Sequence, residues 1–240
     1  MVDPVSFNVI GEVHSCFKEK FGTPRQPGLI REAPAKLELH PPYNREEAIR
    51  GLDGFSHLWI LFLFNQSMME AWKPMVRPPR LGGNQRVGVF ASRSNFRPNP
   101  VGLSVVALDS IDLSSGVVLN LSGVDILDGT PVIDIKPYLP YADVIDEAKA
   151  GYAPAPPSTA IGIRFSDRAL TRCQELESKG CNNLKLIIEQ MLLSDPRPGY
   201  QRETAQEGKQ FGMRLFDLNI KWSVEQGLFV VLEIERVKTG

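Results

Sequence analysis

Residues 86–108 read RVGVFASRSNFRPNPVGLSVVAL: an apolar run, a loop dense in Arg, Ser, Asn and Pro, and a second apolar run. Val, Leu and Phe at this density favour strands on both sides of the loop. Arg93, Ser94, Asn95, Arg97 and Asn99 crowd hydrogen-bond donors into seven positions, and Pro98 and Pro100 stiffen the backbone that carries them. An ordinary turn needs only Gly, Asn or Asp. A rigid, donor-rich loop between strands suits an electron-rich ligand.

Working outward, apolar runs separated by turn residues fill the chain up to about residue 145. Val5–His14, Lys36–His40, His57–Phe64, Val87–Ala91, Val101–Leu108, Val117–Leu121 and Pro131–Lys136 are predicted strands. Asn44 is expected to cap a short helix over Arg45–Arg50. The Leu58–Phe64 run lacks polar alternation and predicts a strand buried on both faces. Many strands with few helices predict a closed or nearly closed β-barrel, which removes exposed edges. Ala153–Ser158, APAPPS, reads as a stiff linker.

Beyond the linker the pattern changes. A strand is predicted over Ala160–Phe165 and helices over Asp167–Lys179 and Leu184–Ser194, capped by Asp167 and by Asn182 or Asn183. Met213–Val224 and Leu228–Glu235 alternate as a hairpin turning at Glu225–Gly227. The expected class is therefore mainly β, with a β-barrel domain over residues 1–152 and a small α+β domain over 159–240.

Bulk properties set the outer bounds. The apolar fraction of 42% is enough for a core, and a net charge of -1 gives no global drive toward nucleic acid or acidic membranes. The distribution differs: Lys73, Arg77, Arg80, Arg86, Arg93 and Arg97 lie in 71–108 without one acid. Such a stripe is either a phosphate-facing surface or a solvated face balanced from elsewhere in sequence. Cys16, Cys173 and Cys181 make no disulfide framework, and residues 1–15 lack the pattern of a signal peptide, which points to the reducing cytoplasm. His14, His40 and His57 complete no metal set, so no metal is expected. The longest apolar run, Leu58–Phe64, falls far short of the ~20 residues of a membrane helix.

Several chemistries lack their signatures: no G-x-G-x-x-G opens a helix, there is no P-loop, and there is no G-x-S-x-G elbow. HPPY at 40–43 resembles the (Asp/Asn)-Pro-Pro-Tyr loop of common amino-methyltransferases, but His replaces the acceptor, and a proline turn accounts for it. Three clusters remain. Pro24 and Pro27 hold Arg25 and Gln26 in an extended loop. Asn65 and Gln66 follow the apolar strand; their amides either pair with an adenine edge or cap the strand end. Asp125–Tyr141, DILDGTPVIDIKPYLPY, carries a turn expected to offer free backbone donors and a hydroxyl. It then carries Asp134, Lys136 and Tyr138, which share one strand face, functional or merely solvent-facing.

In order along the chain stand FGTPRQPGL, GLDGFSHLWILF, RPPRLGG, GVFASRSNFRPNPVG and DGTPVIDIKPYLPY. Together they closely resemble the TsaA-like, or TrmO, tRNA methyltransferases, densely over residues 5–145. DPRPGY at 195–200 and FGMRLFDLNIKW extend the likeness to the second domain. The resemblance implies a homodimeric β-barrel enzyme that uses S-adenosylmethionine to methylate N6 of threonylcarbamoyladenosine, beside the anticodon of certain tRNAs. It implies a cofactor site of Pro24, Arg25, Gln26, Asn65, Gln66, Arg93, Leu103, Leu127, Asp128, Gly129 and Thr130. Asn65 departs from the family's common His and keeps a polar donor.

Asp134, Lys136 or Tyr138 is expected to act at the reacting centre. The basic stretch 73–97 can hold phosphates, and Asp195–Tyr200 can hold the stem or the threonyl part. A non-catalytic barrel that binds a nucleotide or RNA as an adaptor is the rival reading, and a nucleotide-derivative hydrolase a third.

Overall fold

The computed structural model describes residues 5–67, 71–157, 161–197 and 207–237. Six antiparallel strands close into a barrel: β1 (Gly11–Ser15), β2 (Pro34–Leu39), β3 (His57–Leu63), β6 (Val101–Asp112), β7 (Val118–Ser122) and β8 (Thr130–Pro137). Their order around the wall is β1-β2-β7-β6-β3-β8. Val13, Leu37, Leu58, Ile60, Phe62, Val106, Leu119, Leu121 and Val132 fill the interior. Each strand gives alternate residues to it, as the pleat requires. Gly102 is required where it stands, because a Cβ there would lie 2.3 Å from the Phe62 ring.

Some expected elements change at their ends. The first strand begins at Gly11 rather than Val5; Ile10 still donates its N–H to the Val132 carbonyl at 2.8 Å. Leu58–Phe64 is not buried on both faces: Leu58, Ile60 and Phe62 point inward, while Trp59, Leu61 and Leu63 stay half-buried on the outer wall, which the described residues cover only in part, Trp59 donating to Asp143 at 3.0 Å. Val87–Ala91 pairs only over its first two residues. There β5 (Val87–Gly88) meets β4 (Met75–Val76), and residues 89–91 turn. α1 (Glu46–Ile49) starts after Arg45, so Asn44 does not cap it. α2 (Pro140–Asp143) follows β8. HPPY forms a turn in which Tyr43 N–H reaches the His40 carbonyl at 2.8 Å.

The C-terminal part is a four-stranded sheet, order β10 (Gln210–Leu215), β11 (Leu218–Glu225), β12 (Leu228–Arg236), β9 (Ile163–Phe165), under α3 (Asp167–Glu177) and α4 (Leu184–Leu193). Met213–Val224 is not one strand, because Phe216 adopts φ 54° and turns the chain. Ser166, not Asp167, caps α3, its hydroxyl accepting Ala169 N–H at 3.1 Å. Asn183 stands at the start of α4 in the left-handed region without a side-chain cap bond.

The two parts share a core. Phe17, fully buried, bridges to Leu215; Phe216 N–H donates to Cys16 O at 2.7 Å, and Arg214 N–H to Glu19 at 2.9 Å. The connection from β1 to β2, which carries Pro24–Gln26, is thus clamped between barrel and sheet.

Candidate active site at one mouth of the barrel

Strand registers bring the chemistry-bearing turns to one end. Leu63 pairs with Val101, Phe62 with Val132, Val13 with Thr130, and Ser15 with Ala35. The end of β1, the start of β2, the end of β3, the start of β6 and the start of β8 therefore share one mouth. Three contacts tie its loops together. Asn65 Nδ2 donates to Gly129 O at 3.1 Å, Arg93 donates to Gln26 Oε1, and Gly28 N–H reaches Gly123 O at 2.8 Å. Loops 64 to 95 residues apart in sequence close one rim.

Within that rim the residues differ in what they have left to give. Pro24 is buried and shapes the loop, while Arg25 is exposed. Asn65 spends its amide on the protein, since Oδ1 accepts Gln66 N–H at 3.0 Å and Nδ2 holds Gly129. It caps the strand end, and Gln66, exposed beside it, carries the amide that can read an adenine edge. The Asp-Gly-Thr-Pro turn does not offer free donors as expected. Asp128 N–H goes to Phe17 O and Gly129 N–H to Val13 O, both at 2.9 Å, and the Thr130 hydroxyl goes to Leu127 O at 2.6 Å. The Asp128 carboxylate accepts Ser15 N–H at 3.0 Å and Lys18 Nζ at 2.8 Å. A turn sewn to β1 in this way is a rigid shelf rather than a set of open hydrogen bonds.

Leu103 stands outside the barrel. It is 52% exposed, paired with Leu61, which faces Asp134 across the other edge. Ile133 is an extra residue in β8, because Leu61 pairs with Asp134 and Phe62 with Val132. That bulge turns Asp134 and Lys136 outward. They form an ion pair of 2.8 Å, and the Tyr138 ring packs on Trp59 at 5.9 Å on the same wall. The shared face of the three side chains is thus present. Tyr138 sits beside His57, at the far end of β3 from Asn65. Six strand steps of ~3.3 Å put it roughly 20 Å from that rim. One chain brings Asp134 near the mouth but not Tyr138.

Other expected contacts resolve differently. Arg97 donates to Val89 O at 3.2 Å and Ser92 O at 2.9 Å and so shapes its own loop. Lys73 lies 3.8 Å over the Phe96 ring, and Arg80 donates to Ala155 O. Lys73, Arg77, Arg80, Arg86 and Arg93 are all exposed. Among the described residues no carboxylate comes within ion-pair distance of Arg77 or Arg86, which keeps the stripe electropositive. Arg197 is buried and grips Asp195 through two bonds of 2.8 and 2.9 Å, so this pair does not face a stem; residues 198–200 lie outside the described residues. Among the described residues no cluster could hold a metal ion.

Sequence reasoning passed over Asp125 and Ser104. Ser104 points into the barrel, fully buried, and donates Oγ to Asp125 Oδ1 at 2.5 Å. Burial of the carboxyl pushes its pKa from 3.8 up to about 6; the Ser104 hydroxyl and the Arg93 guanidinium act in the opposite sense. The only signal in the sequence was an acid inside an apolar run, Val124–Leu127.

The pattern of the tRNA-methyltransferase O N-terminal domain matches residues 12–144, and that of the TrmO C-terminal domain residues 158–237. The chain is 47% identical over 230 residues to the tRNA (adenine(37)-N6)-methyltransferase of Escherichia coli K12, covering 95% of this chain and 97% of that protein. It is 46% identical to a putative S-adenosylmethionine-dependent methyltransferase of Pseudomonas aeruginosa, over 90% of this chain and 91% of that one. The crystal structure of TrmO from Pseudomonas aeruginosa superposes with a TM-score of 0.81 at 39% identity, covering 97% of this chain and 99% of that one.

Proposed function

Because the chain belongs to the tRNA-methyltransferase O family, we propose that it transfers a methyl group from S-adenosylmethionine to N6 of threonylcarbamoyladenosine, beside the anticodon of tRNA. The observation that carries this reading is the single rim formed by the 24–26, 65–66, 93 and 127–130 segments. The family relationship supports an enzyme rather than a non-catalytic adaptor.

The chemistry asks more for positioning than for a strong acid. A sulfonium is already a good leaving group, so the barrier falls mainly by holding acceptor nitrogen and methyl in line. N6 is a weak nucleophile because its lone pair is conjugated with ring and carbamoyl. The same carbamoyl makes the N6 proton easier to remove, and a positioned base contributes ~10²–10⁴ in rate. Asp134, Lys136 and Tyr138 are the groups we assign to that centre, with the cofactor held by Pro24, Arg25, Gln26, Asn65, Gln66, Arg93, Leu103 and 127–130. The roughly 20 Å between Tyr138 and the rim of its own chain favours a homodimer in which the outer wall of one copy meets the mouth of the other. Leu103, 52% exposed, with half-buried Trp59, Leu61 and Leu63 gives that wall apolar surface to cover. We further propose a cytoplasmic enzyme whose barrel and C-terminal domains divide at about residues 153–158. In it the exposed stripe 73–93 meets anticodon-loop phosphates, where bases are reachable without opening a duplex.

Mass spectrometry of tRNA nucleosides tests the reaction. A strain lacking this chain should lose N6-methyl-threonylcarbamoyladenosine, and the purified protein with S-adenosylmethionine should restore it. Unchanged nucleosides in that strain would remove the proposed substrate. Mixing Lys136→Met protein with Arg93→Ala protein tests the shared site, because reassorted dimers with one intact site regain turnover. No regain means each chain works alone.

A further inference from the structure

Residues 123–129 cross the mouth from β7 to β8, and Asp125 lies within them. Besides Asp125's own backbone N–H, its carboxylate has one donor, Ser104, which bonds Oδ1; no other residue among the described ones donates to it. Withdrawing a carboxylate from water while giving it only neutral donors is unfavourable unless something else completes it. The nearby fixed cation is Arg93, exposed and held from its other side by Gln26. One anion and one cation, each anchored by a partner of its own, thus stand at the same rim.

Adenine and ribose carry no charge for such a pair to meet. An α-amino acid carries both signs on one carbon. We propose that Asp125 and Arg93 together read the amino-acid end of S-adenosylmethionine, Oδ2 of Asp125 accepting from the α-ammonium while the Arg93 guanidinium takes the α-carboxylate. The assignment rests on the cofactor reading above and adds Asp125 as a binding residue and Ser104 as its positioning residue. It also gives the loop 86–100 a selective task, because a cofactor fragment without the amino acid gains nothing from either charge.

Calorimetry with two probes separates the possibilities. S-adenosylmethionine carries the amino acid; 5′-methylthioadenosine keeps the nucleoside and the sulfur and lacks it. Asp125→Asn should weaken S-adenosylmethionine about tenfold or more and leave 5′-methylthioadenosine within about twofold. Ser104→Ala, which frees the carboxylate without removing it, should weaken S-adenosylmethionine several-fold and spare the fragment. Equal affinity of the wild type for both probes would overturn the proposal. So would an Asp125→Asn protein that binds S-adenosylmethionine normally; if its turnover alone falls, Asp125 is a proton acceptor instead. If Asp125→Asn does not fold, Ser104→Ala decides, and unaltered discrimination between the probes in that variant overturns the assignment. A wild type that binds neither probe sinks the cofactor reading itself.

Discussion

Asp125 carries a charge where charge is costly, so its uncharged isostere has a calculable effect on the unliganded protein. Burial raises the carboxyl pKa from 3.8 to about 6. The unfolded chain keeps the ordinary value, so a shift of roughly two units opposes folding by about 3 kcal/mol at ~1.4 kcal/mol per unit. The native state holds the proton more tightly. The penalty is therefore complete above the folded pKa and disappears as pH falls below the unfolded one. Of the groups facing the carboxyl, the Ser104 hydroxyl is uncharged and an arginine keeps its charge throughout, so the profile belongs to Asp125. Asp125→Asn leaves a carbonyl oxygen for Ser104 and removes the charge. The unliganded variant should be more stable by up to about 3 kcal/mol near pH 7.5, or roughly 6–10 °C in Tm, and by only about 1 kcal/mol near pH 4.5. Urea and thermal melts at the two pH values measure this. A gain that is missing near neutrality, or equal at both values, refutes the claim that a desolvated charge sets stability here.

Three other perturbations follow from the packing. Gly102→Ala sets a methyl 2.3 Å from Phe62 ring atoms; overpacking of about 1–3 kcal/mol should appear in the melt, partly relieved by Phe62→Leu. Phe17→Ala empties a fully buried site between barrel and C-terminal sheet; a loss of about 3–5 kcal/mol is expected in urea denaturation, and under about 1 kcal/mol would mean the two parts do not depend on that contact. Burial pushes the Cys16 and Cys173 thiols up to about 12 and raises the half-buried Cys181 thiol as well. Thiol reagents at neutral pH should therefore label native protein slowly and at Cys181 first, with Cys16 and Cys173 reacting only on unfolding; peptide mass mapping distinguishes the order.

The barrel was legible because its strands announce themselves locally. Val13, Leu37, Leu119 and Leu121 alternate with polar neighbours, and turn residues separate the runs. Caps were less legible where two candidates adjoin, as Ser166 and Asp167 do, since either oxygen has the chemistry and only backbone geometry chooses. The rim was legible only through the family likeness, because the partners that meet there lie at 26 and 93, or 65 and 129. The sewing of Asp128 to Ser15 and Lys18, and the burial of Asp125 on Ser104, left no mark in spacing: both depend on which way a closed sheet carries its loops. The half-exposed outer row Trp59, Leu61 and Leu63 read as interior because a run of apolar residues says how hydrophobic a strand is, not what covers it.

The single extra residue in β8 acts as a parity device. Thr130 and Val132 point inside, and unbroken alternation would send Asp134 and Lys136 after them. Removing Ile133 would merge the two runs into one regular strand: Asp134 would follow Val132 directly, still opposite Leu61, and Ile135 would still meet Ile60 in the oily lumen. The bulge thus absorbs a one-residue difference in length inside the wall, and the lysine–aspartate couple keeps its side whether or not that residue is present. At this place the wall can take an indel without exchanging its faces.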